Sequence, residues 1–386
     1  MEKNSTKSKE TCKRNNKMRI GILTLPLNTN YGGILQAYAL QTVLDRMGHE
    51  VRVISFPYLL AEPNWITYLK RYVKKYILRH SINIYGEKRI NDKYRTIHKN
   101  LIIFMDKYIK RVFYKRLEEI KIDDFDAFVV GSDQVWRYEY GECFDGIENA
   151  YLQFTKGWSI KRVSYAASFG LSDWVYSIKD QQTCSELLKS FDAVSVREID
   201  AVNLCRDFLG CSAELVLDPT MLLTKQDYQQ LIINRKRTLC YLGDLFCYML
   251  DSKIDISSLI KELQTEYIPF TVNSRCDDES APVAERIHPS VEQWLKAFDD
   301  AKMVVTDSFH GCVFSIIFNK PFVVYLNHKG GTSRIYSLLS MFGLENRIID
   351  EKLSCLNNII DWDEVNGRLE VLRKKSLMYL NNALLQ

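Results

Sequence analysis

From Met18 onward, short β-branched and aliphatic runs alternate with longer stretches whose apolar residues recur at helical spacing. Arg19 to Leu25 reads as a strand, Asn28 to Gly33 as a loop, Ile34 to Met47 as a helix stopped by Gly48, and Val51 to Phe56 as the next strand. Further strands are predicted at Ala127 to Val130, Val163 to Ala167 and Ala193 to Val196, each leading into a turn or helical stretch. Beyond Pro219, in the segment Val216 to Leu223, the same grammar returns. It predicts strands at Thr238 to Leu242, Pro269 to Val272, Met303 to Thr306 and Phe322 to Leu326, with helices at Ile256 to Thr265, Val291 to Asp299, Gly311 to Phe318 and Ser333 to Met341. Strand-helix alternation of this kind implies mostly parallel sheets covered on both faces. The expected fold class is therefore α/β, with two Rossmann-like domains.

The predicted domains are 18–215, carrying a helical insertion at about 57–120, and 216–350. A C-terminal helical segment, 351–386, follows, with Val365, Leu369, Leu372, Leu377 and Leu380 placed to pack on the domains. Residues 1–17 are nearly devoid of apolar side chains and are expected to form a disordered basic tail. No run of about 18 uncharged apolar residues occurs, so neither a membrane span nor a secretory leader is expected. Ten cysteines without any C-x-x-C pair read as reduced thiols in a cytoplasmic protein.

Net charge is only +4, but it is unevenly distributed. Residues 65 to 116 hold fifteen Lys/Arg against three acids, a local +12, so a basic outpost sits on an acidic body. At its start, Trp65, Leu69, Tyr72, Val73 and Tyr76 fall on one helical face, and Lys70, Arg71, Lys74 and Lys75 on the other. Two readings stay open: a solvated helix packed on the domain, or a patch for an anionic ligand or for the inner face of the cytoplasmic membrane. The mild total charge argues against nucleic acid as a partner.

In an open parallel sheet, ligands bind beyond the carboxyl ends of the strands. The first such junction holds Asn30, Tyr31, Gly32 and Gly33, where glycines let the backbone approach a ligand, or simply make a tight turn. The second is Gly131-Ser132-Asp133-Gln134-Val135-Trp136, whose small polar residues and aromatic ring suit a hydroxyl-rich ligand, although Ser132 or Asp133 would also serve as a helix cap. At the third, Arg197 can bind a carboxylate or phosphate through its fork, or pair with Glu198 or Asp200. Asp307-Ser308-Phe309-His310-Gly311 follows a strand and opens a helix, which aims His310 at the cleft; it alone of six histidines occupies such a place. The run from Asn327 to Arg334 joins two glycines, Lys329 and Arg334 at a helix start, an anion cradle or a surface loop. Acidic pairs at Asp123-Asp124, Asp277-Asp278 and Asp299-Asp300 read as caps and solvated turns, so no metal is expected.

Taken in order, N-Y-G-G-x-L-Q-A-Y-A-L-Q (Asn30 to Gln41), F-D-A-F-V-V-G-S-D-Q-V-W (Phe125 to Trp136), S-V-R-E (Ser195 to Glu198), L-D-P-T (Leu217 to Thr220) and T-D-S-F-H-G (Thr306 to Gly311) resemble the polysaccharide pyruvyl transferase family, from about Met18 to about Ile349. The resemblance implies a GT-B-like arrangement of the two domains around a cleft. It also implies transfer of pyruvate from phosphoenolpyruvate onto two hydroxyls of a sugar as a ketal, in capsule or exopolysaccharide biosynthesis. His310 matches the family's active-site histidine, Arg197 its donor-binding arginine, and Lys329 a lysine after the next strand. Phosphoenolpyruvate carries a carboxylate and a phosphate, so Arg197, Lys329 and Arg334, with Ser308 beside them, are the expected donor contacts. His310 is the expected acid and base, and the scheme needs no cofactor. The acceptor is a sugar, free or lipid-linked. A nucleotide-sugar glycosyltransferase on the same architecture and a non-catalytic carbohydrate-binding or scaffold protein of polysaccharide assembly remain alternatives.

Overall fold

The computed structural model describes residues 17–233, 241, 243–251, 253–263, 266–276, 278–326, 332–349 and 359–385. Of the predicted features, most of the 238–242 strand, the 1–16 tail, and Asn327 to Gly331 with Lys329 lie outside the described residues.

Two parallel sheets organise the chain. The first runs β3-β2-β1-β4-β5, from β1 (Arg19–Leu23), β2 (Glu50–Ser55), β3 (Arg111–Phe113), β4 (Ala127–Val130) and β5 (Lys161–Ser164). The short parallel pair β6 (Ser195–Val196) and β7 (Glu214–Leu215) joins its edge through bridges from Val163 to Ala193 and from Ala167 to Val196. The second sheet runs β11-β10-β8-β9, from β8 (Leu245–Tyr248), β9 (Pro269–Phe270), β10 (Met303–Thr306) and β11 (Phe322–Val324). β4, β8 and β10 are buried along their whole length, which is why they read as unbroken apolar runs rather than alternating ones. The α/β class with mostly parallel sheets is thus realised. In each sheet the strand order reverses once, between β1 and β4 and between β8 and β10, and the carboxyl ends at such reversals open a crevice.

Helix α1 (Tyr31–Arg46) starts three residues earlier than its pattern predicts, because Asn30 caps it by accepting from the Gly33 amide at 3.2 Å. Twelve of its sixteen residues are buried, since it is covered by more than its own sheet. At its N-terminus Tyr31 stacks on Trp294 at 5.5 Å and donates to the Pro289 carbonyl at 2.8 Å, so the two halves share one apolar core. The last helix, Trp362–Leu385, returns to the first half: Ser376 accepts from the Leu217 amide at 3.0 Å, and the Tyr379 hydroxyl donates to the Ser164 carbonyl at 2.9 Å. β8 was not predicted from the residue pattern, and the predicted 195-region strand is shorter than expected.

The insertion forms α2 (Trp65–Tyr76), α3 (Gly86–Ile97) and α4 (Lys99–Tyr108). Leu101, Phe104 and Met105 anchor α4 in the core, and Asn100 donates to the His288 carbonyl at 2.7 Å. Helix α2 buries no residue; it is tied to α3 by a bidentate Arg71–Glu87 pair and by Tyr68 resting on Tyr85. Among the described residues no helix is long and apolar enough to cross a membrane.

Candidate active site

β10 delivers His310. After Thr306 the chain turns through Asp307 and Ser308 into the helix Phe309–Ile317, which starts two residues before the predicted position. Asp307 accepts from the Leu250 and Asp251 amides at 2.7 and 2.8 Å, which fixes the neighbouring loop to this turn. Thr306 donates to the Tyr248 carbonyl and accepts from the Ser308 amide, and a Cβ on Gly311 would lie 2.2 Å from its hydroxyl oxygen. Ser308, expected as a donor contact, caps the helix by accepting from the Gly311 amide at 3.3 Å, which leaves its O–H to donate.

The imidazole of His310 lies directly on the first turn of α1. A Cβ at Gly32 would stand 2.0 Å from Nδ1 and 2.2 Å from Cγ, so only glycine allows this approach. Two motifs more than 270 positions apart, Asn30-Tyr31-Gly32-Gly33 and Ser308-Phe309-His310-Gly311, therefore meet at the carboxyl ends of the two sheets. Replacing Gly32 with alanine is expected to displace the ring and to lower turnover about tenfold to 100-fold, with the secondary structure retained by circular dichroism. Unchanged turnover in a folded Gly32→Ala protein would contradict the contact.

Beneath His310 lies a buried charged network. The Arg197 guanidinium donates to Asp218 Oδ2 at 2.8 Å and to Asp133 Oδ1 at 3.0 Å, its Nε lies 3.8 Å from Glu198 Oε2, and its Cζ lies 4.6 Å over the Phe309 ring. Asp218 also accepts from the Thr220 amide and hydroxyl through Oδ1 and from Ser132 through Oδ2, and Oδ2 lies 3.9 Å from His310 Nε2. Ser132 donates from its amide to Gln36, whose own amide group donates to Thr24 at 2.9 Å. Thus the loop after β4 is locked to α1 and to the segment after β7.

The electrostatics follow from that packing. Burial raises the cost of charge on Asp133 and Asp218, but Arg197, joined by His310 whenever its imidazole carries a proton, outweighs it, helped by Arg334 at Asp133 and by Thr220 at Asp218, and both carboxyls are held below their usual range. Glu198 goes the other way, pushed up by burial. Burial also pulls His310 below its ordinary value of 6.5, with Asp218 and Asp133 opposing. Arg334 is half-buried, 5.9 Å from the Phe309 ring, and burial and Arg197 lower it to about 10, so it remains a cation at neutral pH.

The structure brings together Asn30, Gly32, Gly33, Ser132, Asp133, Arg197, His310 and Arg334. Gln134 joins Asn30, Gly33 and Asp133 in lining a small adjoining cavity of about 110 Å³. Two expectations are corrected. Trp136, expected to stack on a sugar, is fully buried against Tyr151 at 4.9 Å with its indole N–H on the Ala150 carbonyl, so no face is left for a ligand. Arg197, expected to hold the donor through its fork, has both terminal nitrogens engaged by carboxylates at 2% exposure. Of the two expected pairings, Glu198 is an ion-pair partner at 3.8 Å, while Asp200 accepts from Ser333. Tyr31 serves the core contact with Trp294. Three members were not singled out as site residues, although each lies in a motif that carries the family resemblance: Asp218 beside Pro219, Gln36, one of two buried glutamines in α1, and Phe309. Among the described residues no group of three His, Cys, Asp or Glu side chains is placed to hold a metal ion.

Solved structures similar in overall trace include the glycotransferase of kitacinnamycin, with 12% identity, a TM-score of 0.45, and 96% of this chain and 98% of that chain covered. Another is a UDP-GlcNAc 2-epimerase from Neisseria meningitidis bound to UDP-GlcNAc, with 10% identity, a TM-score of 0.47, and 95% and 99% covered. No curated protein matches the chain in sequence. The polysaccharide pyruvyl transferase profile matches residues 30–329, a stretch that begins at the asparagine capping α1 and takes in Asp133, Arg197, Asp218 and His310. Spanning most of the chain and every motif that converges beside His310, this match shows that the protein belongs to the polysaccharide pyruvyl transferase family.

Proposed function

We propose that the protein moves pyruvate from phosphoenolpyruvate onto two hydroxyls of a sugar, closing a ketal, in the building of capsule or exopolysaccharide. Family membership supports a transferase. The observation that carries the finer reading is His310: 6% exposed, seated on a glycine turn, with Nε2 lacking a hydrogen-bond partner among the described residues and standing 3.9 Å from Asp218. A buried imidazole kept neutral beside carboxylates is poised to gain and return a proton.

In this scheme Arg334 contacts the anionic donor and Lys329 is a second cation for it, while Arg197 acts from below as the brace of Asp133 and Asp218. His310, protonated when the anionic donor binds, delivers its proton to the vinyl carbon and makes C2 electrophilic, and a sugar hydroxyl adds there and returns its proton to His310. Phosphate then leaves with its electron pair, and the second hydroxyl attacks C2 to close the ketal, its proton leaving on the phosphate. The sum is phosphoenolpyruvate plus diol giving ketal plus phosphate. Phosphoenolpyruvate is the donor substrate, and no cofactor enters.

Incubation with phosphoenolpyruvate and a panel of lipid-linked and nucleotide-linked sugars tests this, with mass gain of the acceptor and stoichiometric phosphate release expected. Release of a nucleoside diphosphate instead, with phosphoenolpyruvate untouched, would replace the proposal with sugar transfer. A second expected result concerns the proton. Because burial depresses His310, its imidazole should titrate below 6.5 in the free protein, and the negative charge of bound phosphoenolpyruvate should raise it. NMR of the ring carbons checks both directions; a downward shift on adding donor would exclude an anion bound beside the ring.

A further inference from the structure

The orientation of α2 is the reverse of what a solvated packing helix would adopt. At 100° per residue, Trp65, Leu69, Tyr72, Val73 and Tyr76 form one ridge, flanked by Lys70 on one side and Lys75 on the other, while Lys74 lies further round, beside Thr67. The partly covered positions are Thr67, Tyr68 and Arg71, on the opposite side, where Tyr68 meets Tyr85 and Arg71 pairs with Glu87. The apolar ridge therefore points away from the protein. Trp65 is 74% exposed, Leu69 58% and Tyr76 60%, and Ile77 and Leu78 continue the surface at 71% and 56%. Contiguous exposed apolar patches on a protein surface mark interaction sites.

We infer that α2 docks on an anionic lipid bilayer, with the Trp65–Leu69–Tyr72–Tyr76 ridge in the headgroup region and Lys70 and Lys75 at the phosphates. Charge decides between occupants. A second copy would set one +12 segment against another, whereas an anionic surface complements it. Aromatic rings with polar tips and flanking lysines are the side chains that settle at the headgroup level, and a helix lying in that plane buries its apolar face about 5–10 Å deep. Arg71, committed to Glu87, fixes the helix to its support rather than serving the surface. The surface stands whether or not pyruvyl transfer is the reaction.

The test is flotation of the full chain with vesicles of phosphatidylcholine alone or of equal parts phosphatidylcholine and phosphatidylglycerol. Binding is expected to the anionic vesicles only and is expected to fall steeply with salt, as the Debye length shrinks to about 3 Å at 1 M. Replacing Lys70 and Lys75 with Gln should weaken it about 25-fold, at roughly fivefold per residue. Trp65→Ser with Leu69→Ser and Tyr76→Ser should abolish it, and Lys374→Gln with Lys375→Gln, on the exposed face of the last helix, should change little. All variants should keep the wild-type melting temperature, since none of the altered side chains is buried. Absence of wild-type binding overturns the inference, as does binding that both α2 variants retain. A dimer that the serine variant converts to monomer, without vesicle binding, overturns it in favour of self-association.

Discussion

Replacing His310 with alanine or glutamine is expected to lower turnover by about 10² to 10⁴, the range that positioned proton transfer contributes. The two variants separate chemistry from packing. Alanine leaves a void beneath Gly32 and beside Asp218, whereas glutamine keeps most of the volume and a hydrogen-bonding group but cannot carry a proton at neutral pH. Equal losses in both, with the donor Michaelis constant changing far less than turnover, are the signature of a transition-state role. A loss confined to alanine, tracking a lowered melting temperature, would make His310 a packing residue. Normal turnover in folded His310→Gln would remove it from the mechanism altogether.

His310 was legible in the sequence because its position follows from local rules alone. A fully apolar strand ends at Thr306, a serine suited to capping follows, and the imidazole falls in the first helical turn, which in a parallel sheet faces the ligand edge. The same holds for β1, α1 and β2, whose boundaries depend on Asn30 and Gly48 within a few residues of the chain. Arg197 was not legible in this way. Its partners lie 64 residues upstream and 21 downstream, and nothing local distinguishes an arginine that will meet a substrate from one that will meet Asp133 and Asp218. Trp136 misled for a related reason: it follows a ligand-like Gly-Ser-Asp-Gln run, but the chain folds Tyr151 back onto its face. For α2, amphipathicity was plain from the residues, while the side turned outward depends on Glu87 of α3 and on Tyr85 immediately before it.

Removing Arg197 is expected to affect stability before it affects donor binding. Arg197→Ala would leave the carboxyls of Asp133, Asp218 and Glu198 buried together without their shared cation, and breaking a buried pair in this way costs on the order of 3–5 kcal/mol. Arg197→Lys should recover only part of that, since one ammonium cannot reproduce the fork that reaches Asp218 Oδ2 and Asp133 Oδ1 at once. The pH dependence distinguishes this brace from a simple packing residue. In the wild type both aspartates are held below 3.8, so their contribution is complete above that value and is lost only as pH falls below it, through their lowered folded-state values. In the alanine variant burial acts unopposed by Arg197, both carboxyls rise, and the folded state gains protons more readily than the unfolded one. Between pH 7 and about pH 4 acidification therefore leaves the aspartates' contribution to the wild type intact while relieving the variant, and the difference between their urea midpoints should narrow over that range. A gap that widens on acidification would contradict the network. A variant with wild-type stability and only a raised donor Michaelis constant would return Arg197 to the role of a direct donor contact, its fork then being available to the substrate after all.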